Sequence, residues 1–338
     1  MPLEPSKKIA YLFGAGATHA EIMDSKDAQS ENFIKKNGLL ISHVSQRVME
    51  KAQKNKWFKE HKEVFANKGE FNIELFISLL EANKIDESKI MYLKELIQED
   101  IKTILSKERK SKFYLHNALF ELHNHDKLNK KEELIGIISL NYDDILDEAY
   151  KRVLDKKPDY CLTSENNKCI PKCIPLLKLH GSFNWQNIEI YGRKTNISIV
   201  PIGVNKNYLM PPYNFIWGRT YELLLGCDIL RIIGCSMSQN DIGLIDLLFK
   251  AHKTRNKPIE IQIIDFQPNN GRHHIKNDYG FLPKIIEPEK IEDGLIADDL
   301  IYKETGNPLK IWLHAKTFKI LNMNNTEIEK TTYLKKLF

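Results

Sequence analysis

The sequence predicts an α/β protein with a mostly parallel sheet. Three observations carry this. Short apolar runs recur at 9–13, 134–140, 174–179, 229–233 and 259–265, and runs apolar on both faces suit strands covered by helices on either side. Stretches with three- and four-residue apolar spacing lie between them. The runs end in Gly, Asn, His or Asp, and in an open α/β sheet the carboxyl ends of the strands are where ligands bind.

The bulk numbers narrow the class. The 338 residues suit one large domain or about two ordinary ones. A hydrophobic fraction of 42% supports a real core, and a formal charge of +5 is too mild for a dedicated nucleic-acid binder. No apolar run reaches the roughly 18 residues of a membrane span, and residues 1–8 lack a signal-peptide core. Five cysteines, an odd number, fit a reducing cytoplasm.

In chain order, the first strand runs into Gly14-Ala15-Gly16-Ala17-Thr18-His19-Ala20-Glu21. Thr18 with Glu21 fits a capping box. A strand, a glycine turn and a helix N-terminus can together hold an anion, because orphan N–H groups and the helix dipole point the same way. An ordinary strand-to-helix turn is the commoner reading of Gly-x-Gly alone, and the third glycine of the dinucleotide fingerprint is absent. Residues 30–130 contain no proline and read as an insertion of helices, roughly 32–54, 71–82, 87–107 and 112–124. His123 and His125 beside Asp126 are expected in a surface loop and not at a metal.

The strand at 134–140 ends in Asn141-Tyr142-Asp143-Asp144, followed by a helix through Tyr150. Asn141 and Asp143 fit either a ligand or a helix cap. Cys161, Cys169 and Cys173 lack a CxxC pair and a fourth ligand, so no zinc site is expected. The strand at 174–179 delivers His180 rigidly into a Gly181-Ser182 turn. A hairpin or excursion is expected over 191–203, turning at Gly192-Arg193. Pro211-Pro212 makes a rigid connector, and a helix follows over 214–226. The strand at 229–233 ends in Gly234-Cys235-Ser236, and an apolar helix opens at Asp241. That pattern offers a second ribose or phosphate site. Asp265 closes the last strong strand, where an acid suits ribose hydroxyls. An amphipathic helix over 307–321 carries Leu309, Ile311, Trp312, Phe318 and Ile320, and the final residues are expected to fray.

These pieces, in this order, resemble the sirtuin family, and among its members the bacterial sirtuin-like defence proteins. The resemblance rests on Gly14-Ala15-Gly16-Ala17-Thr18, Phe71-Asn72-Ile73-Glu74, Asn141-Tyr142-Asp143, Lys178-Leu179-His180-Gly181-Ser182, Met210-Pro211-Pro212, Gly234-Cys235-Ser236 with Asp241, and the Asp265 strand end. It implies a Rossmann-like sheet binding NAD, with a core of 1–29 and 131–290, a helical insertion of 30–130 and a helical tail of 291–338. Ala15, Gly16, Ala17 and Thr18 would hold the pyrophosphate and nearer ribose. Asn141 and Asp143 would border the nicotinamide ribose, with His180 as the catalytic histidine beside Gly181 and Ser182. Gly234, Ser236 and Asp265 would line the adenosine half, and Asp241 would also bind the cofactor. Cys235 departs from the aromatic residue common in the family.

Protein-deacylating sirtuins carry two CxxC pairs after the histidine and a Phe-Gly-Glu stretch. Here no cysteine lies between His180 and Cys227, and that stretch is missing. The combination resembles the NAD hydrolases of antiphage systems, which deplete NAD. The resemblance implies NAD as substrate, no metal, a homo-oligomer and a HerA-type ATPase partner. A non-catalytic NAD or ADP-ribose sensor and an ADP-ribosyltransferase remain the alternatives.

Overall fold

Alternation along the first strand sets the layers. In β1 (Lys7–Phe13) the residues Ile9, Tyr11 and Phe13 face one side of the sheet, and Ala10 and Leu12 face the other. All five are fully buried, so this strand lies at the centre. The computed structural model describes residues 5–24, 31–65, 71–108, 112–125, 130–163, 173–185, 188–190, 193–195, 208–237, 241–265, 307–317 and 323–338.

Strand β1 pairs in parallel with β2 (Glu132–Ser139) and with β6 (Ile229–Ile233). Beyond β2 lies β3 (Leu176–Lys178), and beyond β6 lies β7 (Glu260–Ile264). The five-stranded order is β3-β2-β1-β6-β7. The chain therefore builds outward from β1 in one direction, crosses back, and builds outward in the other. This is a doubly wound, Rossmann-like α/β sheet, and its switch point lies between β1 and β6. A separate antiparallel pair, β4 (Ile188–Ile190) and β5 (Arg193–Thr195), forms a hairpin that begins before the expected span of 191–203, of which 196–203 lies outside the described residues. Its turn at Gly192 lies outside the described residues.

Helices cover both faces. One face carries α1 (Ala15–Met23), α7 (Leu115–His123), α8 (Ile145–Leu154) and α11 (Pro308–Ala315). The other carries α9 (Tyr213–Gly226) and α10 (Ile242–Thr254). Between α1 and α7 the chain forms α2 (Glu31–Asn37), α3 (Ile41–Ala52), α4 (Lys56–Phe65), α5 (Ile73–Ala82) and α6 (Glu87–Lys107). Helices α3 to α6 enclose a core of their own around Val48, Phe58, Phe76, Ile77 and Leu93.

Several expectations are corrected. The single helix expected over 32–54 is two, broken at Gly38, where an added Cβ would lie 2.3 Å from the His43 ring. Helix α4 follows them, and its charge-rich sequence concealed it. Helix α7 packs on the sheet and not within the inserted cluster. Thr18 and Glu21 form no capping box, because Gly14 is the N-cap of α1. Glu21 instead accepts the N–H groups of Tyr114, Leu115 and His116 at 3.0, 3.1 and 2.8 Å and the His116 ring Nδ1 at 2.6 Å. It caps α7 from a distance, satisfying donors that the helix itself leaves orphaned. His123 is not in a surface loop. It ends α7 buried, with Nε2 2.6 Å from the Tyr11 hydroxyl. The C-terminal residues do not fray. A short helix α12 (Asn325–Glu329) and a 3-10 turn at Leu334–Leu337 bury Ile328, Leu334 and Leu337, and Glu121 accepts the N–H groups of Thr332, Tyr333 and Leu334. Phe318, Ile320, Asp126 and Cys169 lie outside the described residues.

Candidate active site

The carboxyl edge of the sheet collects the predicted side chains in strand order. His180 follows β3, Asn141 follows β2, Gly14 follows β1, Gly234 follows β6 and Asp265 follows β7. At the switch point two glycine loops interlock. Gly16 donates its N–H to the Gly234 carbonyl at 2.8 Å. A Cβ on Gly14 would lie 2.5 Å from that carbonyl oxygen, and one on Gly234 would lie 2.1 Å from the Ala17 nitrogen. Gly234 also has φ +57, in the left-handed region. The glycines expected to admit a ligand thus first admit one another. Ala15 and Ser236 remain exposed at the rim, while Ala17 and Thr18 are buried.

Asn141 is held by a chain of hydrogen bonds. Its Nδ2 donates to the Gly14 carbonyl at 2.9 Å and to Thr18 Oγ1 at 3.1 Å, and Thr18 Oγ1 donates to Asp143 Oδ2 at 2.9 Å. Asp143 Oδ1 accepts the N–H of Ile145 at 3.1 Å, so Asp143 also serves the start of α8. Burial holds the Asp143 carboxyl above its usual range, although Lys178 and the hydrogen bonds oppose this. An amide has two N–H hydrogens, and both are spent. What Asn141 can offer a ligand is therefore its carbonyl oxygen, an acceptor.

His180 is 7% exposed, and its Nε2 lies 3.6 Å from Asp241 Oδ1. Its ring lies 6.0 Å from that of Tyr142, which stacks on Phe183 at 5.7 Å. Gly181 turns the chain with φ +84. Trp217 fixes the strand end by donating Nε1–H to the Leu179 carbonyl at 3.2 Å. Tyr142 also packs against the core of the inserted helices, so the insertion borders the site. Burial raises the Tyr142 hydroxyl well above its usual range, and the Glu74 and Asp241 carboxylates add to this. Beside Phe183 opens a cleft of about 270 Å³ lined by Lys102, Leu105, Ser106, Asp144, Phe183 and Asn184.

The structure thus gathers Gly14, Thr18, Asn141 and Asp143 into one bonded group, and His180 with Asp241 into another. Gly234, Ser236 and Asp265 continue the edge past the switch point. Ser182 is buried beneath, bonded to Lys178 and not directed along the edge. Tyr142, Lys178 and Asp147 were not assigned roles from sequence. The signal that could have found Lys178 is a lysine inside an apolar strand, which demands a buried counter-charge.

Among the described residues no cluster of His, Cys, Asp or Glu is arranged to hold a metal ion, and no helix is long and apolar enough to cross a membrane. No protein-family model and no curated protein matches the chain. Among solved structures, one presented as "Structural Basis for the Mechanism and Regulation of Sir2 Enzymes" matches at 13% identity with a TM-score of 0.31, over 77% of this chain and 81% of that chain. At that level no residue-by-residue correspondence follows.

Proposed function

We propose that this protein cleaves the glycosidic bond of NAD, giving ADP-ribose and nicotinamide. One observation carries the reading: Asn141, with both amide hydrogens committed, stands at the end of the strand next to His180, beside the glycine loops of the topological switch point. A switch-point crevice suits a dinucleotide laid along the strand ends.

The bond between the ribose carbon and the nicotinamide nitrogen breaks with its electron pair moving onto the nitrogen. Nicotinamide leaves neutral, and positive charge develops on the ribose carbon. Asn141 Oδ1 accepts a hydrogen bond from a ribose hydroxyl or from the attacking water, fixing its direction. Water forms the new carbon–oxygen bond, and His180 takes the proton it loses. Asp241, at 3.6 Å from His180 Nε2, stabilises the imidazolium that results. Thr18 and Asp143 act through Asn141. No step calls for a metal.

The test is product analysis on purified protein with NAD. Stoichiometric nicotinamide and free ADP-ribose support hydrolysis. Binding without turnover would establish a sensor instead. The cleft lined by Lys102, Asp144 and Asn184 favours a second reading, ADP-ribosyl transfer to an acceptor seated there; ADP-ribose recovered on protein would identify it. From the sequence resemblance we further propose a role in antiphage defence, as a homo-oligomer controlled by a HerA-type ATPase. Co-purification of that ATPase from the native host, and light scattering on the isolated chain, test the two halves.

A further inference from the structure

Lys178 is fully buried, as is its counter-ion Asp147. An ammonium has three donors and no acceptor. Those of Lys178 go to Asp147 Oδ2 at 2.9 Å, to Ser182 Oγ at 2.6 Å and to the Asp143 carbonyl. With three acceptors for three hydrogens it has none left for a substrate. Its partners belong to three different segments: the loop after β2 that carries Asn141, the first turn of α8, and the turn after His180.

The surrounding bonds tighten the same junction. Ser182 Oγ donates to the Tyr142 carbonyl at 3.2 Å, and the Phe183 N–H donates to that carbonyl at 2.9 Å. The second oxygen of Asp147 accepts from Asn184 Nδ2 at 3.2 Å and from the Tyr160 hydroxyl. The β2–β3 ladder itself is only three residue pairs long, and its last bond is Leu179 N–H to the Ser139 carbonyl at 3.0 Å. Past that point the two chains that carry Asn141 and His180 diverge into turns. Aliphatic packing would hold such a junction at lower desolvation cost than a buried ion pair, but without fixed directions. Directed bonds are what a site with two cooperating groups needs.

We propose that Lys178, with Asp147 as its counter-ion, is the positioning residue that fixes Asn141 and His180 relative to each other. It is not a catalytic group. The kinetic half of the test rests on the NAD-cleaving reading, and the spectroscopic half does not.

Lys178→Met alone would strand a buried carboxylate and is expected to fold poorly. The deciding variant is Lys178→Met with Asp147→Asn, which is neutral, close in volume and keeps acceptors for Tyr160 and Asn184. It is expected to melt cooperatively and to bind ADP-ribose within about threefold of wild type. Its kcat on NAD should fall by about 10²-fold, the loss that a displacement near 1 Å can cause. The His180 imidazole NMR signals, assigned with His180→Asn, should shift or broaden with no ligand present. A folded double variant with wild-type kcat and unmoved His180 signals would show that the pair only stabilises, and would overturn the proposal. If wild type itself does not cleave NAD, that reading fails alone, and the His180 signals still decide the positioning role. Should the double variant not fold, Ser182→Ala decides by the same two readouts: it removes one acceptor and no charge. Unmoved signals and unchanged kcat in that variant would likewise overturn the proposal.

Discussion

At the scale of single residues, the site separates groups that would touch a substrate from groups that hold those in place. Asn141→Ala removes the side-chain carbonyl proposed to meet the substrate and the Nδ2 bonds to the Gly14 carbonyl and Thr18 Oγ1, leaving the Gly14 carbonyl its bond from the Ala17 N–H at 3.0 Å. NAD cleavage is expected to fall by more than about 10²-fold, with stability lower by about 1–2 kcal/mol. His180→Ala should cost a similar factor in turnover. Steady-state assays beside thermal melts check both, and near-wild-type turnover in either variant refutes the assignment. Asp241 is more informative, because sequence placed it only among the cofactor-binding residues and the structure sets it 3.6 Å from His180. If it serves the imidazolium, Asp241→Asn lowers kcat about tenfold and leaves KM nearly unchanged. A rise in KM at constant kcat would return Asp241 to ligand binding.

At the scale of elements, the switch point depends on two glycine loops that close on each other. Gly234→Ala forces a side chain into the left-handed region and places a Cβ 2.1 Å from the Ala17 backbone nitrogen, which has nowhere to move. The backbone conformation alone costs about 1–2 kcal/mol, so a large drop in melting temperature and loss of NAD binding are expected. Gly218 is the internal control. It lies exposed inside α9, and a Cβ there meets nothing within 4 Å. Gly218→Ala should stabilise by about 0.5–1 kcal/mol. The same contrast shows what the sequence discloses. The strands were legible because burial on both faces writes a continuous apolar run, and their polar ends marked the edge where Asn141, His180 and Gly234 meet. Glu21 and Glu121 were not legible, because each caps chain far away in sequence: Glu21 serves 114–116 and Glu121 serves 332–334. A local window sees only an acid in a helix. Lys178 was marked only by its place inside an apolar strand, since its counter-ion Asp147 lies far away in sequence.

At the scale of the whole molecule, one buried polar network ties the sheet to its covering helices and contributes to the response to acid, beside His19, whose pKa burial lowers to about 4. Glu132 at the start of β2 accepts Arg231 Nη1 and Nη2 at 2.7 and 2.8 Å and Lys316 Nζ at 2.7 Å. Arg231 Nη1 also donates to the Tyr11 hydroxyl at 3.2 Å, and that hydroxyl lies 2.6 Å from His123 Nε2. Burial, and then the nearby Arg231 charge, lower the His123 pKa from 6.5 to about 3. Burial alone would raise Glu132, but Arg231 and Lys316 outweigh it and bring it from 4.5 to about 2. Both groups bind protons more readily in the unfolded chain, so both make stability fall as pH falls. His123 acts from pH 6.5 down to about 3, and Glu132 from pH 4.5 down to about 2. Between pH 7 and pH 4.5 His123 alone should remove about 2–3 kcal/mol of unfolding free energy. Urea melts across this range would measure it. In His123→Gln the curve should be flatter between pH 6.5 and 4.5, whereas the steeper loss below pH 4.5 from Glu132 should persist. A mutant curve parallel to wild type above pH 4.5 would show that another group governs the acid limb.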